Sequence, residues 1–428
     1  MKITFIGAGS VVFTKRLVTD ILYYPELRNS TLSFMDIDEK RLRMITKWTA
    51  RLVEQEEFPT KIESTMNRRQ ALKGADFVII MIQVGGIKPY EIDIAVPLKY
   101  GVDQSVGDTL GPGGVFRALR TIPVLIDICE DMSKLCPNAL LINYANPMAM
   151  NCWAMNNHGK IKSIGLCHSV QGTARQIAGY MGIDFNEVSY WCAGINHMSW
   201  YLKYEYKGRD AYPILWKACN NPKIYAKDRV RFEMMKHLGY FVTESTWHMS
   251  EYVPYFRRER KTIKRFHVPT GWYLHWCQVG WQPHYAAIQK EIDGDKRITL
   301  DSSHEYGSHI IRAMVTNEPF RFNGNVSNNG LITNLPQGCT VEVPIFADKA
   351  GIHPSYVGDL PSQLAAMNRT NINVQELAVQ AALKGDRRLA FQAIMMDPLT
   401  SAVCDIWNIQ KMVDELFKKQ KKWLPNFK

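Results

Sequence analysis

The chain begins with an alternation of apolar and polar residues that predicts a β-strand over residues 2 to 6. A short turn, Gly7-Ala8-Gly9-Ser10, follows, and apolar residues then recur at helical spacing through residues 18 to 22. A second β-rich stretch, residues 31 to 35, ends at Asp36. Strand, glycine turn, helix and a second strand ending in an acid form the order of a dinucleotide-binding βαβ unit.

The same alternation of strands and helices continues to about residue 170. Residues 75 to 82 are apolar except for Asp76, which is typical of a parallel strand buried on both faces. We predict a helix over residues 119 to 135 and further strands over residues 139 to 143 and 161 to 166. About six parallel strands would complete a Rossmann-type doubly wound sheet.

The pattern changes at about residue 190, where aromatic residues become frequent and Gly and Pro interrupt the periodicity. Residues 325 to 344 alternate as antiparallel strands do, and we predict that Leu331 to Thr333 pairs with Thr340 to Val343 across a Pro-Gln-Gly loop. Residues 374 to 397 and the basic C-terminus predict helices. We therefore predict a dinucleotide-binding Rossmann domain over residues 1–190 and a mixed α/β substrate domain over residues 191–428.

The glycine turn has the chemistry of a dinucleotide site. Gly7, Gly9 and Ser10 would bring backbone N–H groups to a pyrophosphate, and Asp36 would accept hydrogen bonds from ribose hydroxyls. The pattern departs from the usual fingerprint, because Val12 replaces the third glycine and Asp36 comes 29 residues after Gly7. An ordinary tight turn is the alternative. A carboxylate at Asp36 would repel a 2′-phosphate, so we predict NAD rather than NADP.

Composition narrows the class of protein. The 428 residues are 46% hydrophobic, yet the longest apolar runs are of strand length and much shorter than the roughly 20 residues that cross a bilayer. Nine cysteines without a paired framework favour a reducing compartment, and the N-terminus enters structure without a leader, so we expect a cytoplasmic protein. A net charge of +11 without a nucleic-acid motif predicts a solvated basic surface.

The chain contains a series of short motifs that occur in a characteristic order. They are Gly7-Ala8-Gly9-Ser10, Gly107-Asp108-Thr109-Leu110-Gly111-Pro112-Gly113-Gly114, Arg120-Thr121-Ile122-Pro123, Asn143-Tyr144-Ala145-Asn146-Pro147, Cys167-His168-Ser169, Gly194-Ile195-Asn196-His197 and Gly330-Leu331-Ile332-Thr333-Asn334-Leu335-Pro336. With them the chain resembles glycoside hydrolase family 4, the NAD- and metal-dependent glycosidases related in fold to lactate and malate dehydrogenases. The matches run in order from residue 3 to about residue 360 and are collectively very specific.

The residues that follow Cys167 suggest the branch of the family. Cys167-His168-Ser169 resembles the α-galactosidase (melibiase) branch, whereas 6-phosphoglycosidases usually carry Asn or Asp after the cysteine. The resemblance therefore implies an α-galactosidase that acts on an unphosphorylated sugar. An α-glucosidase, an α-galacturonidase or a glucuronidase of the same family is the alternative.

The mechanism that the resemblance implies differs from the two-carboxylate scheme of most glycosidases. NAD⁺ takes hydride from C3 of the sugar, a base removes the proton on C2, and the C1–O bond breaks by elimination. Water then adds and the hydride returns to C3. The scheme needs a Lewis acid on O2 and O3, a base that reaches C2, and an acid for the leaving oxygen.

Cys167 and His197 are the metal ligands that the resemblance implies, with Mn²⁺ as the family expectation. A thiolate and an imidazole would also suit Zn²⁺ or Fe²⁺. Without the family match, a buried cysteine and a hydrogen-bonded core histidine would be the better interpretation. Two protein ligands would leave positions for the sugar hydroxyls and water.

The remaining catalytic roles fall on a few residues. The resemblance implies a tyrosine as the base; Tyr252 and Tyr255 are the candidates, with Tyr255 slightly preferred because Pro254 fixes the turn before it. His168 is the candidate acid and Asp108 its alternative. Asn146 follows a strand beside the nicotinamide in the related dehydrogenase layout and is predicted to contact the cofactor and a sugar hydroxyl.

Two other classes of protein remain as alternatives. A 2-hydroxyacid dehydrogenase would share the Rossmann half, but it would need a His, Asp and Arg hydride-transfer site. A non-enzymatic NAD sensor or nucleic-acid binder would use the basic charge. For the enzyme we expect a small-molecule sugar substrate, no nucleic-acid or membrane partner, and assembly as a homodimer or homotetramer.

Overall fold

The computed structural model of the protein describes residues 1–294, 296–303 and 305–428. Its first half contains six parallel strands in the order β3-β2-β1-β4-β5-β6, as the sequence predicts for a doubly wound sheet. The strands are β1 (Lys2–Ile6), β2 (Thr31–Met35), β3 (Lys61–Thr65), β4 (Phe77–Ile80), β5 (Leu140–Asn143) and β6 (Ser163–Gly165).

Helices connect these parallel strands. They are α1 (Val11–Tyr23), α2 (Pro25–Arg28), α3 (Glu39–Gln55), α4 (Arg68–Leu72), α5 (Ile87–Lys99), α6 (Gly111–Leu135), α7 (Met148–His158) and α8 (Ser169–Met181), followed by a 3₁₀ turn (Phe185–Glu187). Helix α6 begins at Gly111, earlier than the predicted start at residue 119. Pro112 lies in its first turn, where proline costs no hydrogen bond, so the Gly and Pro residues at positions 111 to 114 form the start of the helix.

The sheet continues without a break into the second half of the chain. β6 pairs antiparallel with β10, and β11, β7, β8 and β9 follow in that order, while β12 pairs with β11. These strands are β7 (Val188–Ile195), β8 (Met198–Tyr206), β9 (Arg209–Asp210), β10 (Phe320–Ser327), β11 (Thr340–Asp348) and β12 (Gly351–Pro354). The boundary between residues 190 and 191 stays a prediction.

The predicted hairpin of the second half is wrong in one of its strands. β11 pairs with β10, with Ser327 opposite Thr340, and residues 331 to 333 lie in the connection between them. Asn328 holds that connection compact, because its side-chain amide donates to the carbonyls of Ile332 at 3.0 Å and Leu335 at 3.2 Å. Its Oδ1 also accepts the Ile332 N–H at 2.9 Å. The backbones of Leu331 and Thr333 bond to residues 357 and 358 instead of to β11.

Helices surround the antiparallel half, and α17 packs on α6 and α7 of the first half. The predicted helical region over residues 374 to 397 is confirmed as parts of α17 and α18, and the C-terminal helix is α20. The helices are α9 (Tyr212–Cys219), α10 (Pro222–Tyr225), α11 (Arg229–Leu238), α12 (Thr246–Tyr252), α13 (Arg260–Phe266), α14 (Trp272–Val279), α15 (Gln282–Asp293), α16 (Gly307–Thr316), α17 (Ser362–Lys384), α18 (Arg387–Met395), α19 (Pro398–Val403) and α20 (Ile406–Gln420). Among the described residues, no helix combines the length and apolar character needed to cross a bilayer.

Candidate active site

The carboxyl ends of the parallel strands bring most of the predicted residues to one edge of the sheet. Gly7 follows β1, Asp36 follows β2, Asn146 lies just beyond β5, and Cys167 lies just beyond β6. Because parallel strands share their direction, residues after each strand meet at a common crevice. The antiparallel half adds His197, which lies in the two-residue turn between β7 and β8.

The glycine turn and Asp36 form a tight cradle. The Gly9 N–H donates to Asp36 Oδ2 at 2.6 Å, and the Asp38 N–H donates to Asp36 Oδ1 at 2.8 Å. A Cβ at Gly9 would lie 2.6 Å from Asp36 Oδ2, so any larger residue would displace the carboxylate. Gly7 has a φ of +90°, which favours glycine.

The first turn of α1 is open toward this cradle. Helix α1 begins at Val11, and the side chain of Ser10 makes no capping hydrogen bond in the described part of the chain. The first N–H groups of a helix carry partial positive charge and have no partner within the helix. A close glycine turn, an open helix start and an acid at the next strand end therefore fit a dinucleotide.

Cys167, His197 and Glu244 present three potential metal ligands to one another. His197 Nε2 lies 3.2 Å from Cys167 Sγ and 3.3 Å from Glu244 Oε2, and all three ligand atoms lie within 4.8 Å of one another. The cluster joins three elements: the end of β6, the β7–β8 turn, and the segment that precedes α12. Thiolate, imidazole and carboxylate together suit a divalent transition metal, so this donor set fits one.

The charges at the cluster also favour a cation. Burial, together with the negative charges of Glu244 and Glu342, raises the pKa of the Cys167 thiol to about 12. Burial alone would raise the pKa of Glu244, but the imidazoles of His248 and His197 bring it below its ordinary value. A bound cation would stabilise the thiolate, so metal binding and release of the thiol proton are coupled here.

Of the two candidate tyrosines, the structure brings only Tyr252 to the cluster. Its hydroxyl lies 3.2 Å from His197 Nδ1 and its side chain is buried, whereas Tyr255 is 56% exposed. Burial, followed by the charges of Asp108 and Glu251, raises the pKa of Tyr252 well above its ordinary value. Tyr252 can act as a base only in its deprotonated form. That form becomes accessible only where a neighbouring cation lowers the pKa of the hydroxyl.

Asp108 and Asn146 meet in a second, buried group. Asn146 Nδ2 donates to Asp108 Oδ2 at 3.1 Å, and the guanidinium of Arg117 lies 3.5 Å from the same oxygen. Burial would raise the pKa of Asp108, but Arg117, His248, Thr109 and His197 together bring it below its ordinary value. Asp108 is therefore a carboxylate at neutral pH and has no proton to donate.

His168 carries a proton that Asp108 lacks. Its Nε2 lies 2.5 Å from Glu305 Oε1, and its side chain is 49% exposed. Desolvation opposes the protonated form, but the hydrogen bond and the charge of Glu305 raise the pKa of His168 to about 9. Tyr306 fixes the backbone beside it, because its hydroxyl accepts the Cys167 N–H at 3.1 Å and donates to the Cys167 carbonyl at 2.8 Å.

Four residues of this site were not predicted from the sequence: Glu244, His248, Arg117 and Glu305. Their roles depend on contacts between distant segments, and none of them has a diagnostic spacing to Cys167 or His197. Glu305 is 137 positions from His168, the residue that it contacts. Glu251, which supports the neighbouring loop, is likewise 146 positions from its partner Ser105. Only the i and i+4 spacing of His248 and Tyr252 within α12 gives a local signal.

The sequence of the whole chain matches known proteins. The profile of the Family 4 glycosyl hydrolase matches residues 2–183, and that of the Family 4 glycosyl hydrolase C-terminal domain matches residues 192–400. An alpha-galactosidase from Bacillus subtilis (strain 168) is 44% identical over 431 residues, which cover 100% of both chains. An alpha-galactosidase from Rhizobium meliloti (strain 1021) is 41% identical over 441 residues, with 100% of this chain and 89% of that protein covered.

A solved structure shares the fold over the full length. It is the 6-phospho-beta glucosidase from Thermotoga maritima with manganese, NAD+ and glucose-6-phosphate, with a TM-score of 0.82, 24% identity and 100% of each chain covered. The predicted fold class and the family resemblance are both confirmed. With both profiles matched in order and relatives above 40% identity along its whole length, the chain belongs to glycosyl hydrolase family 4.

Proposed function

We propose that the protein is an α-galactosidase that works with NAD and Mn²⁺. The observation that carries the proposal is the donor set of Cys167, His197 and Glu244, which faces the same sheet edge as the cradle of Gly9 and Asp36. The choice of sugar rests on the two alpha-galactosidases that are 44% and 41% identical along this chain.

The two groups would be held by separate parts of the site. NAD would lie against Gly7, Gly9, Ser10 and Asp36, and the metal would be held by Cys167 and His197. When bound, NAD supplies a hydride acceptor for C3 of the sugar, and the metal supplies polarisation of the hydroxyls on C2 and C3.

The side chains of this chain have distinct tasks in that reaction. Tyr252 removes the proton from C2, because its hydroxyl lies in the buried cluster beside His197. His168 holds the proton for the leaving oxygen, since Glu305 keeps its imidazole protonated at neutral pH. Asn146 orients a sugar hydroxyl, and the carboxylate of Asp108 fixes the side-chain amide of Asn146 at 3.1 Å.

Hydrolysis of a panel of aryl glycosides tests the proposal. We expect cleavage of an aryl α-galactoside that exceeds cleavage of the α-glucoside and the galacturonide, and that requires NAD⁺, Mn²⁺ and a reducing agent. Chelation should abolish cleavage, and added Mn²⁺ should restore it. Activity that survives removal of both NAD⁺ and metal would refute the mechanism.

The same panel separates the alternative functions. Preference for the glucoside or the galacturonide would assign the protein to another substrate class of the family. A 2-hydroxyacid dehydrogenase would release NADH into solution, which is seen by its absorbance, whereas the proposed reaction returns the hydride in each turnover.

We also propose a cytoplasmic homo-oligomer, either a dimer or a tetramer. All nine cysteines are unpaired, which agrees with a reducing compartment. Large apolar side chains remain exposed on the single chain, including Trp407 at 73% and Tyr356 at 69%, and a second copy would cover such surface. Light scattering coupled to size exclusion tests this, and a monomer at micromolar concentration would refute it.

A further inference from the structure

Glu244 has a carboxylate oxygen that the protein leaves unsatisfied. Oε2 is buried and accepts no hydrogen bond among the described residues, although it lies 3.3 Å from His197 Nε2 and 3.4 Å from His248 Nδ1. A buried charged oxygen without a hydrogen bond lowers the stability of the folded protein. The site is therefore incomplete unless something else binds this oxygen.

The two neighbouring imidazoles already have other partners. His248 Nδ1 lies 2.9 Å from Ser245 Oγ, which is closer than its 3.4 Å contact with Glu244. His197 Nδ1 lies 3.2 Å from the hydroxyl of Tyr252, so His197 Nε2 is the nitrogen that faces both Cys167 Sγ and Glu244 Oε2. Neither imidazole makes a hydrogen bond to Glu244 Oε2, so this oxygen remains available to a further partner.

The spacing of the three ligand atoms matches a shared cation. Two ligand atoms that lie about 2.2 Å from one ion and at right angles to each other are about 3.1 Å apart. The observed separations from His197 Nε2 are 3.2 Å to Cys167 Sγ and 3.3 Å to Glu244 Oε2. The ligand atoms of Cys167 and Glu244 also lie within 4.8 Å of each other, so one ion can reach all three residues.

We propose that Glu244 is a third protein ligand of the metal, beside Cys167 and His197. This inference rests on the proposed function, since it requires a metal at this cluster. A carboxylate adds a hard oxygen to a site that otherwise has one soft and one borderline ligand. Glu244 thereby strengthens Mn²⁺ binding and makes the difference between the affinities for Zn²⁺ and Mn²⁺ smaller.

Metal binding to the full-length protein tests this without any activity measurement. Metal-free protein is titrated with Mn²⁺, and the free ion is followed by its electron paramagnetic resonance signal. We expect Glu244→Gln to weaken Mn²⁺ binding by at least about 10-fold, since even indirect partners of a ligand change affinity by about 10–100-fold. Glu244→Asp, which keeps a carboxylate, should recover part of that loss.

Glu233→Gln is the matched control. The side chain of Glu233 is 21% exposed against 31% for Glu244, and it pairs with Lys236 at 2.9 Å on α11, apart from the cluster. This variant should bind Mn²⁺ as the wild type does. Co²⁺ spectra provide a second readout, because loss of an oxygen ligand changes the ligand-field bands while the thiolate charge-transfer band from Cys167 remains.

The outcomes separate this inference from the proposed function. If Cys167→Ser loses Mn²⁺ binding while Glu244→Gln binds Mn²⁺ within twofold of the wild type with an unchanged Co²⁺ spectrum, the inference is wrong and the metal site stands. If the wild type itself binds no Mn²⁺, both the inference and the proposed function fail.

Discussion

At the scale of single residues, His197 connects the two halves of the proposed chemistry. One imidazole nitrogen faces Cys167 and Glu244, and the other lies 3.2 Å from the hydroxyl of Tyr252. A histidine whose second nitrogen is fixed by a partner presents the first in one orientation. The proposed base and the metal cluster are therefore in contact through a single ring.

This contact predicts that the two candidate tyrosines differ in their effect on turnover. Tyr252→Phe should lower turnover by at least about 100-fold, since general acid–base catalysis contributes about 10²–10⁴-fold. Tyr255→Phe should stay near wild type because that side chain is 56% exposed. The measurement is loss of deuterium from substrate labelled at C2, with Mn²⁺ affinity as the control for site integrity. Full turnover in both variants would remove tyrosine from the role of base.

Motifs revealed only some of the site at this scale. Cys167 and His197 stand in stretches that resemble a family, so the sequence was enough to predict them as a pair. The choice between Tyr252 and Tyr255 depended on which side chain faces the cluster, and Pro254 gave no information on that. Tyr252 is the last residue of α12 and Tyr255 lies beyond the helix. Glu244 and Glu305 were missed because their partners come from other strands and loops.

At the scale of elements, helix α12 supports the site from both of its sides. His248 and Tyr252 are four residues apart, so they share one face, and both rings lie against His197, with ring centroids 4.6 Å and 6.5 Å away. Glu251 projects toward the loop before Asp108, where its carboxylate accepts the N–H groups of Ser105 at 2.8 Å and Gly107 at 2.9 Å. One short helix thus positions the proposed base and the Asp108 loop.

Replacement of Glu251 should show how much the Asp108 loop depends on this side chain. Glu251→Gln keeps the size of the side chain but turns one acceptor into a donor that faces backbone N–H groups. We expect a loss of about 1–3 kcal/mol in unfolding free energy, and lower turnover because Asp108 and Asn146 move. Denaturant unfolding and steady-state kinetics measure these effects, and Glu233→Gln on α11, apart from this loop, serves as the control. An unchanged midpoint would show that the loop holds its conformation without Glu251.

Helix α19 offers a test of stability against pH. Its N-cap, Asp397, is fully buried and accepts the Thr400 N–H at 2.8 Å and the Thr400 hydroxyl at 2.7 Å. Burial raises the pKa of Asp397 from 3.8 to about 6. As pH rises, Asp397 loses its proton at a lower pH in the unfolded chain than in the fold. The contribution of this group to the unfolding free energy is therefore greatest below about pH 4 and decreases until about pH 6.

The side chain in the variant Asp397→Asn does not titrate, so the unfolding free energy of this variant should not show that decrease. Between pH 4 and pH 8, the unfolding free energy of the wild type should decrease relative to the variant by up to about 3 kcal/mol. Unfolding by denaturant across this range measures the difference. A constant gap between the two proteins from pH 4 to pH 8 would mean that Asp397 ionises in the fold as it does in the unfolded chain.

Elements were predicted well where periodicity was long and poorly where it was short. The parallel strands and helix α1 follow sustained patterns, and the structure confirms them. The strand predicted over residues 331 to 333 rested on only two apolar residues, and its backbone bonds to Asn328 and to residues 357 and 358 instead of to β11. The start of α6 was placed too late because its first turn is built from glycine and proline.

At the scale of the whole molecule, the two predicted domains share one sheet and one core. Asn325 of β10 pairs with Gly165 of β6, so the parallel half ends on a strand from the other half. The rings of Phe116 and Phe417 pack with centroids 4.8 Å apart across the same division. The sequence predicted a change in the hydrophobic pattern near residue 190. Pairing between strands from the two sides of that position depends on strand order, which periodicity does not encode.

A buried polar network also crosses the division. Arg120 donates to Asp93 at 3.1 Å and to Gln420 at 3.0 Å, and Gln420 donates to Asp93 at 2.7 Å, with all three side chains buried. Residues 1–190 alone would expose the edge of β6 and leave the Arg120–Asp93 ion pair without Gln420. Loss of a hydrogen-bond partner from a buried charged group costs about 1–3 kcal/mol, and an uncovered strand edge promotes aggregation.

We therefore expect that residues 1–190 do not fold as a separate unit, although they contain the complete parallel sheet. The fragment should show no cooperative thermal transition by circular dichroism, whereas the full chain should unfold in a single transition by calorimetry. Co-expression of residues 1–190 with residues 191–428 is the control, because both halves are then present and should form a soluble complex. A cooperative transition in the isolated fragment would establish the boundary near residue 190 as one between independently stable domains, with the shared sheet formed by docking after each half has folded.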